Sequence, residues 1–129
     1  MTVTKADVED AVEFYKHCMG LDDWRITLCY TVADPEAYAH ITPSYEYRRA
    51  ELAVNLELLD SPDRTNRTII HELSHCLLSP VCDVIQHYVT EDGPKKTLLT
   101  QQEYVATSIE QFPIWEHIVP PKRKRRKGK

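Results

Sequence analysis

Two histidines and a glutamate stand at a metal-binding spacing in the run His71-Glu72-Leu73-Ser74-His75. On a helix, positions four residues apart lie one turn apart on the same face, so both imidazoles can bind one zinc ion. Glu72 lies beside them, where its carboxylate can take a proton from a zinc-bound water as a general base. The run therefore predicts a hydrolytic Zn²⁺ site.

The third protein ligand of such a site has to come from elsewhere in the chain, because the fourth position is normally left to water. The metzincin pattern would place a histidine six residues after His75, but that position is Val81. Two candidates remain, Glu103 and His87. We favour Glu103, because its helix can return across the first one, whereas the break expected at Pro80 leaves His87 little chain for a reversal.

Each of these later residues also has an interpretation that involves no metal. Glu103 could form a capping box with Thr100, and His87 could be a surface histidine. Glu110 lies two turns after Glu103 on the same helix face. It can hydrogen-bond to a zinc-bound histidine there or remain a solvated carboxylate.

The four cysteines, Cys18, Cys29, Cys76 and Cys82, show neither a CxxC pair nor the dense spacing of a disulfide framework. This usage favours a reduced, cytosolic chain. Cys76 directly follows His75, but adjacent helical positions point about 100° apart, so its thiol should face away from the metal. No run approaches the length of a membrane span, and the N-terminus lacks the apolar region of a secretory signal. We expect a cytoplasmic protein, or a nuclear one in a eukaryotic host, with no membrane partner.

Three segments look like strands, and they must help to position the histidines and glutamates of the predicted zinc site. Apolar residues alternate with polar ones over residues 24–32 and 50–58, and residues 37–49 are rich in Tyr and Thr. Residues 37–49 could be one strand or a broken pair, and Pro43 argues against a continuous central strand. The three segments predict a small antiparallel or mixed sheet with one buried face.

Capping residues and prolines mark the helices. Thr4 and Asp7 predict the start of the first helix, and Ser61 followed by Pro62 predicts the start of the helix that carries the histidines. Pro80 should end this helix, and residues 91–94 should form a turn. The predicted helices are residues 4–19, 62–79, 80–89 and 98–112. The fold class is therefore α+β, a three-stranded, mostly antiparallel sheet on the histidine-bearing helix and two or three further helices, in one domain over residues 1–119.

The charge of the chain is divided between an acidic body and a basic end. Residues 1–120 carry 9 Lys and Arg against 20 Asp and Glu, whereas the last eight residues carry seven positive charges. We expect residues 120–129 to be disordered. Such a tail can contact nucleic acid phosphates without sequence preference, serve as a nuclear localisation signal, or dock on the acidic body. The predicted contact residues are Lys122, Arg123, Lys124, Arg125, Arg126 and Lys127.

Over residues 24–112 the pattern resembles the gluzincin branch of zinc peptidases in a minimal, single-domain, zincin-like form. The run Glu103-Tyr104-Val105-Ala106 is similar to the third-ligand helix of ImmA-type peptidases of phages and mobile elements. The resemblance implies that a cleft-lining edge strand, for which Ala50–Leu59 is the candidate, pairs with an extended peptide substrate. It implies His71, His75 and Glu103 as zinc ligands and Glu72 as general base. Candidates for steadying the oxyanion are His87, Tyr88 and Tyr104.

Two functions remain open. The first is a zinc metallopeptidase that cuts an intracellular protein target. SprT-type peptidases are the competing relatives: they would take His87 as third ligand, and their link to DNA-bound substrates would fit the basic tail. The second is a non-enzymatic, zinc-stabilised nucleic-acid-binding or adaptor protein that acts through that tail.

Overall fold

The computed structural model describes residues 2–121, which fold into three helices and three strands. The helices are α1 (Lys5–Cys18), α2 (Pro62–Tyr88) and α3 (Asp92–Glu110), and the strands are β1 (Arg25–Cys29), β2 (Ala39–Ser44) and β3 (Arg49–Val54). Short 3₁₀ segments lie at Tyr45–Tyr47, Leu56–Leu58 and Pro113–His117. The predicted α+β class is confirmed. The predicted disorder and nucleic-acid contacts of residues 122–129 lie outside the described residues.

The sheet is mixed and has the order β1-β3-β2. The central strand β3 pairs in parallel with β1 and antiparallel with β2. The expectation that Ala50–Leu59 forms an edge strand is therefore wrong, because β1 and β2 cover both edges of β3. β1 and β2 are the edge strands, and the place of Pro43 in β2 agrees with the expectation that it is not in a central strand.

The strand predicted over residues 50–58 is also shorter than its alternating pattern suggested. It ends at Val54, and Leu56–Leu58 form a 3₁₀ turn instead. The Asn55 side chain donates a hydrogen bond to the Pro35 carbonyl oxygen (3.1 Å), which holds the chain as it leaves the sheet. This turn directs the chain towards the start of α2. The strand therefore ends at Val54, although the alternating apolar pattern continues to Leu58.

The first helix and its cap follow the prediction. The Thr4 hydroxyl accepts from the Asp7 backbone N–H (3.2 Å), and the Asp7 carboxylate accepts from the Thr4 N–H (2.8 Å), which completes a capping box. Gly20, with a φ of +72°, follows the helix end. The buried face of α1 packs on α2, and its Tyr15 hydroxyl donates to the Ile118 carbonyl oxygen (2.8 Å).

Helix α2 continues through Pro80 for a further eight residues, so the predicted helix end at Ser79 is wrong. A proline inside a helix removes one hydrogen bond and crowds the preceding turn. Contacts with α3 support the part of the helix that follows. The Cys82 thiol donates to the Gln102 side-chain oxygen (2.9 Å), and Lys95 donates to the Gln86 carbonyl oxygen (3.3 Å).

Helix α3 begins at Asp92, so the turn predicted over residues 91–94 is wrong, as is the later helix start at residue 98. Pro94 is accommodated because it lies in the first turn, where backbone N–H groups have no partner within the helix. Thr100 lies inside the helix and donates to the Lys96 carbonyl oxygen (2.8 Å), which excludes the capping box with Glu103. Within residues 2–121, no helix combines the length and apolarity needed to cross a bilayer.

All four cysteines are free thiols. Cys76 is 1% exposed and lies in the core, pointing away from the two histidines as predicted. Burial, reinforced by the charge of Glu72, raises the pKa of the Cys76 thiol to about 12. This thiol is therefore a core residue and not a metal ligand.

Candidate metal centre

Helix α2 presents His71, Glu72 and His75 on the side that faces a cleft, while its opposite side is anchored in the core. Ile69, Ile70 and Leu73 are fully buried there. The two imidazole rings lie with their centroids 5.2 Å apart, as expected for side chains one helical turn apart. The core anchoring fixes the helix rotation and thereby the direction in which both rings point.

The Glu103 carboxylate reaches across from α3 and lies between the two rings. One of its oxygens is 3.1 Å from His71 Nε2, and the other is 3.0 Å from His75 Nε2. A donor atom from each of the three residues lies within 4.8 Å of the others. The structure therefore brings together the three predicted ligands.

The alternative third ligand, His87, lies elsewhere. It is twelve residues after His75 on the same continuous helix, which is roughly 18 Å along the axis. Its Nδ1 donates to the Asp83 carbonyl oxygen (2.8 Å), and the residue is exposed. Because α2 does not break at Pro80, His87 is carried away from the other two histidines.

Each histidine of the centre has a further polar partner at Nδ1. A Glu110 oxygen lies 2.9 Å from His71 Nδ1, which is one of the two alternatives that the sequence left open for this glutamate. The side-chain nitrogen of Gln102 lies 2.7 Å from His75 Nδ1, a partner that the sequence did not indicate. Partners of this kind orient metal-binding imidazoles and set which nitrogen faces the metal.

The three residues fit a zinc ion by the chemistry of their donor atoms. Two imidazole nitrogens and one carboxylate are a common ligand set of catalytic zinc, which keeps its fourth position open. Tetrahedral zinc, with bonds of roughly 2.0–2.2 Å, needs ligand atoms a few ångströms apart, which small side-chain rotations can provide here. Burial lowers the pKa of His75, which favours the neutral imidazole that a metal requires.

Glu72 is only 8% exposed and lies next to this triad. Burial, followed by the nearby charge of Glu103, raises its pKa to about 8. The backbone N–H of Ile41 donates to its carboxylate and partly opposes that rise. The result is a carboxylate with a high proton affinity beside the three candidate ligands.

The cleft in front of these residues has a volume of about 360 Å³ and lies between α2, α3 and β2. The Asn55 N–H donates to the Tyr38 carbonyl oxygen (2.9 Å), and hydrogen bonds alternate along an antiparallel pair. The backbone groups of Ala39 and Ile41 therefore point away from β3, towards the free edge. The Ile41 bond to Glu72 agrees with this direction, so the free edge of β2 forms one wall of the cleft.

The three residues considered for the oxyanion do not line this cleft. Tyr88 is 80% exposed near the end of α2, and Tyr104 is 69% exposed on α3. Among the described residues, His40 of β2 does line the cleft, and its charge acts on His75. No local sequence pattern marks His40, because its position depends on β2 lying beside α2.

Comparison with known proteins adds no assignment to this geometry. Neither a protein-family model, nor a curated protein, nor a solved structure matches the chain.

Proposed function

We propose that this protein is a zinc-dependent metallopeptidase that hydrolyses peptide bonds of an intracellular protein target. One observation carries the proposal. A set of three possible metal ligands and a buried glutamate, Glu72, line a cleft whose facing wall is a free strand edge. This combination supplies a metal-binding group, a base and a surface for an extended chain.

In this proposal His71, His75 and Glu103 hold the zinc ion. Bound zinc would acidify a water molecule and polarise the substrate carbonyl. Glu72 accepts the proton of the attacking water and delivers it to the nitrogen of the leaving amine. Burial and the charge of Glu103 raise its pKa to about 8 without a metal, and a zinc ion beside it would favour the ionised carboxylate that accepts the proton.

The substrate would bind as an additional strand on the free edge of β2. The backbone groups of Ala39 and the carbonyl oxygen of Ile41 are directed to pair with an extended peptide. The Ile41 N–H is taken by Glu72, and Pro43 limits the pairing further because it has no N–H. We also propose His40 as the group that steadies the developing oxyanion, since it lines the cleft close enough to His75 for their charges to interact.

The test compares the full-length protein with its Glu72→Gln variant. We expect about one zinc ion per chain in both, by elemental analysis, and a loss of roughly 10²- to 10⁴-fold in cleavage of a quenched-fluorescent peptide library for the variant. His71→Ala should lose the metal as well. Glu46→Gln, a matched change on the exposed Tyr45–Tyr47 turn, should cleave normally. Undiminished cleavage by Glu72→Gln, or a purified protein without bound zinc, would overturn the proposal.

A second candidate function rests on charge. The last eight residues carry seven positive charges, which favours contact with nucleic acid phosphates. On this alternative the protein is a non-enzymatic, zinc-stabilised nucleic-acid-binding or adaptor protein. Deleting residues 122–129 would then abolish a salt-sensitive association with DNA, whereas Glu72→Gln would leave it intact.

A further inference from the structure

A second pocket, of about 140 Å³, opens from the metal centre towards the start of α2. It shares Ala39, His71 and Glu72 with the cleft, so the two form a continuous groove. Its far end is formed by Tyr38 and Arg64. Arg64 lies seven residues before His71, which is almost two full turns, so both side chains leave α2 on the same face.

The Arg64 guanidinium lies 4.8 Å above the centre of the Tyr38 ring. Within residues 2–121 it forms no ion pair. The carboxylate next to it in sequence, Asp63, pairs instead with Arg67 at 3.3 Å. The aromatic ring holds the guanidinium by a cation–π contact and leaves its N–H groups directed at other acceptors.

The carboxylates that share this pocket already have partners. Glu110 lies 2.9 Å from His71 Nδ1, and Glu72 accepts the Ile41 N–H. Arg64 is therefore a cation in the groove with no carboxylate of its own, in a body that carries 9 basic and 20 acidic residues over residues 1–120. Within residues 2–121 no carboxylate pairs with this guanidinium, so a bound molecule can supply one.

We propose that Arg64 selects substrates by binding a carboxylate of the peptide. The inference rests on the proposed peptidase function and names the substrate feature that the groove recognises. The carboxylate is either an Asp or Glu side chain or the C-terminus of the peptide, because a guanidinium pairs with each in the same bidentate geometry. Along α2, Arg64 lies roughly 10 to 17 Å from the two histidines, so the carboxylate lies about three to five extended residues from the cleaved bond.

The experiment uses pairs of peptides that differ by Glu against Gln at one position, scanned over five residues on each side of the cleaved bond. Each peptide is made with a free and with an amidated C-terminus. We expect one Glu position, or the free C-terminus, to raise kcat/KM about tenfold over its uncharged partner. A gain at an internal position identifies a side-chain carboxylate, whereas a gain only with the free terminus identifies the C-terminus.

Variants of Arg64 assign the preference to this residue. Arg64→Gln should bring the ratio of the two kcat/KM values towards 1, and Arg64→Glu should favour Lys at the same position. The Glu variant should still start its helix, since it creates a Ser61-x-x-Glu capping box, and circular dichroism checks this. Arg49→Gln is the matched control: Arg49 also stacks on a tyrosine, Tyr47, but outside the groove, and the ratio should not change.

A binding measurement separates this inference from the proposed function. The same peptides are titrated against zinc-loaded Glu72→Gln protein and followed by fluorescence anisotropy. Equal binding of the Glu and Gln peptides, or a preference that survives in Arg64→Gln, would overturn the inference even if the wild type cleaves peptides. Preferential binding that Arg64→Gln abolishes would support the carboxylate site even if the wild type cleaves none, and only the peptidase proposal would then fail.

Discussion

At the scale of single residues, the two histidines of the centre differ in how their rings are held. His71 faces the carboxylate of Glu110, which can only accept, whereas His75 faces the amide of Gln102, which carries both a donor and an acceptor. A metal bound through Nε2 requires the other ring nitrogen to donate its proton. A half-turn of the Gln102 amide presents the oxygen that accepts it and gives up the hydrogen bond that the Cys82 thiol donates to this oxygen.

Gln102→Leu should therefore lower the zinc affinity about tenfold, because His75 loses the partner that orients its ring. Gln102→Glu should retain the affinity, since a carboxylate accepts the Nδ1 proton without any turn. Competition with a chromophoric chelator measures both. The neighbouring exposed residue provides the control, Gln101→Leu, which should bind zinc as the wild type does. Equal affinity of the Gln102 and Gln101 leucine variants would show that Gln102 has no orienting role.

The residues of the centre differed in how far the sequence could reveal them. His71, Glu72 and His75 are visible because their relation depends on one helical turn. Glu103 could be proposed because zinc needs a third ligand, and the chemistry restricted the choice. Gln102 and His40 could not be found, because their roles depend on how α3 and β2 lie against α2, and no local pattern encodes that arrangement.

At the scale of elements, the bounds of α1 could be predicted from local interactions, whereas those of α2 and α3 could not. The capping box of Thr4 and Asp7 is a local interaction, and the sequence predicts α1 nearly to the residue. Pro80 and the run Gly93-Pro94 are strong local breakers, yet both lie inside helices. Contacts between α2 and α3 outweigh the local effect of Pro80, and a single sequence does not reveal such tertiary contacts. Gly93-Pro94 is tolerated for a local reason, because it lies in the first turn of α3.

The continuity of α2 predicts the effect of Pro80→Ala. In a continuous helix, proline leaves the Cys76 carbonyl oxygen without a backbone donor, and alanine restores that hydrogen bond. We expect the free energy of unfolding in urea to rise by about 1–3 kcal/mol, with part of the gain offset by the greater freedom of the unfolded chain.

Pro62→Ala is the matched control for this substitution. Pro62 stands at the first position of α2, where its missing N–H has no helical acceptor to serve, so its replacement should give no gain. If α2 broke at Pro80, that proline would also stand at a helix start. The two variants would then behave alike, and the continuous helix would be contradicted.

At the scale of the whole molecule, α3 has little fully buried apolar surface, and polar contacts join it to the rest of the fold. Ala106 is its one fully enclosed apolar residue among those described. Glu103 meets both histidines, and Arg67 of α2 donates to the Glu110 carbonyl oxygen (2.7 Å) at the far end of the helix. The residues of the candidate metal centre thus also join α3 to the rest of the fold.

The arrangement of the sheet was the least predictable feature at this scale. The alternating patterns locate β1 and β3 and reveal the buried face of each strand. They do not indicate that β3 pairs in parallel with β1 or that it lies between β1 and β2. That order decides which strand borders the cleft, so the cleft wall could not be assigned before the sheet was known.

Because Glu72 and His75 are buried, their charges should also influence how the stability of the metal-free protein depends on pH. Burial raises the pKa of Glu72 from 4.5 to about 8, so the folded state keeps a proton that the unfolded chain has already lost. Stability should therefore fall as the pH rises from 4.5 to 8 and then level off. The lowered pKa of His75 acts in the opposite direction, but only below its ordinary value of 6.5.

The interval between pH 7 and 8 therefore isolates the contribution of Glu72. In chelator-treated protein we expect the free energy of unfolding in urea to fall there with a slope of up to about 1.4 kcal/mol per pH unit, the limit for one proton. Glu72→Gln cannot ionise and should remove this slope, and Glu46→Gln should keep it. Added zinc should flatten it in the wild type, because a nearby cation favours the ionised carboxylate. A slope that persists in Glu72→Gln would assign the pH dependence to another group and would contradict the high proton affinity of Glu72.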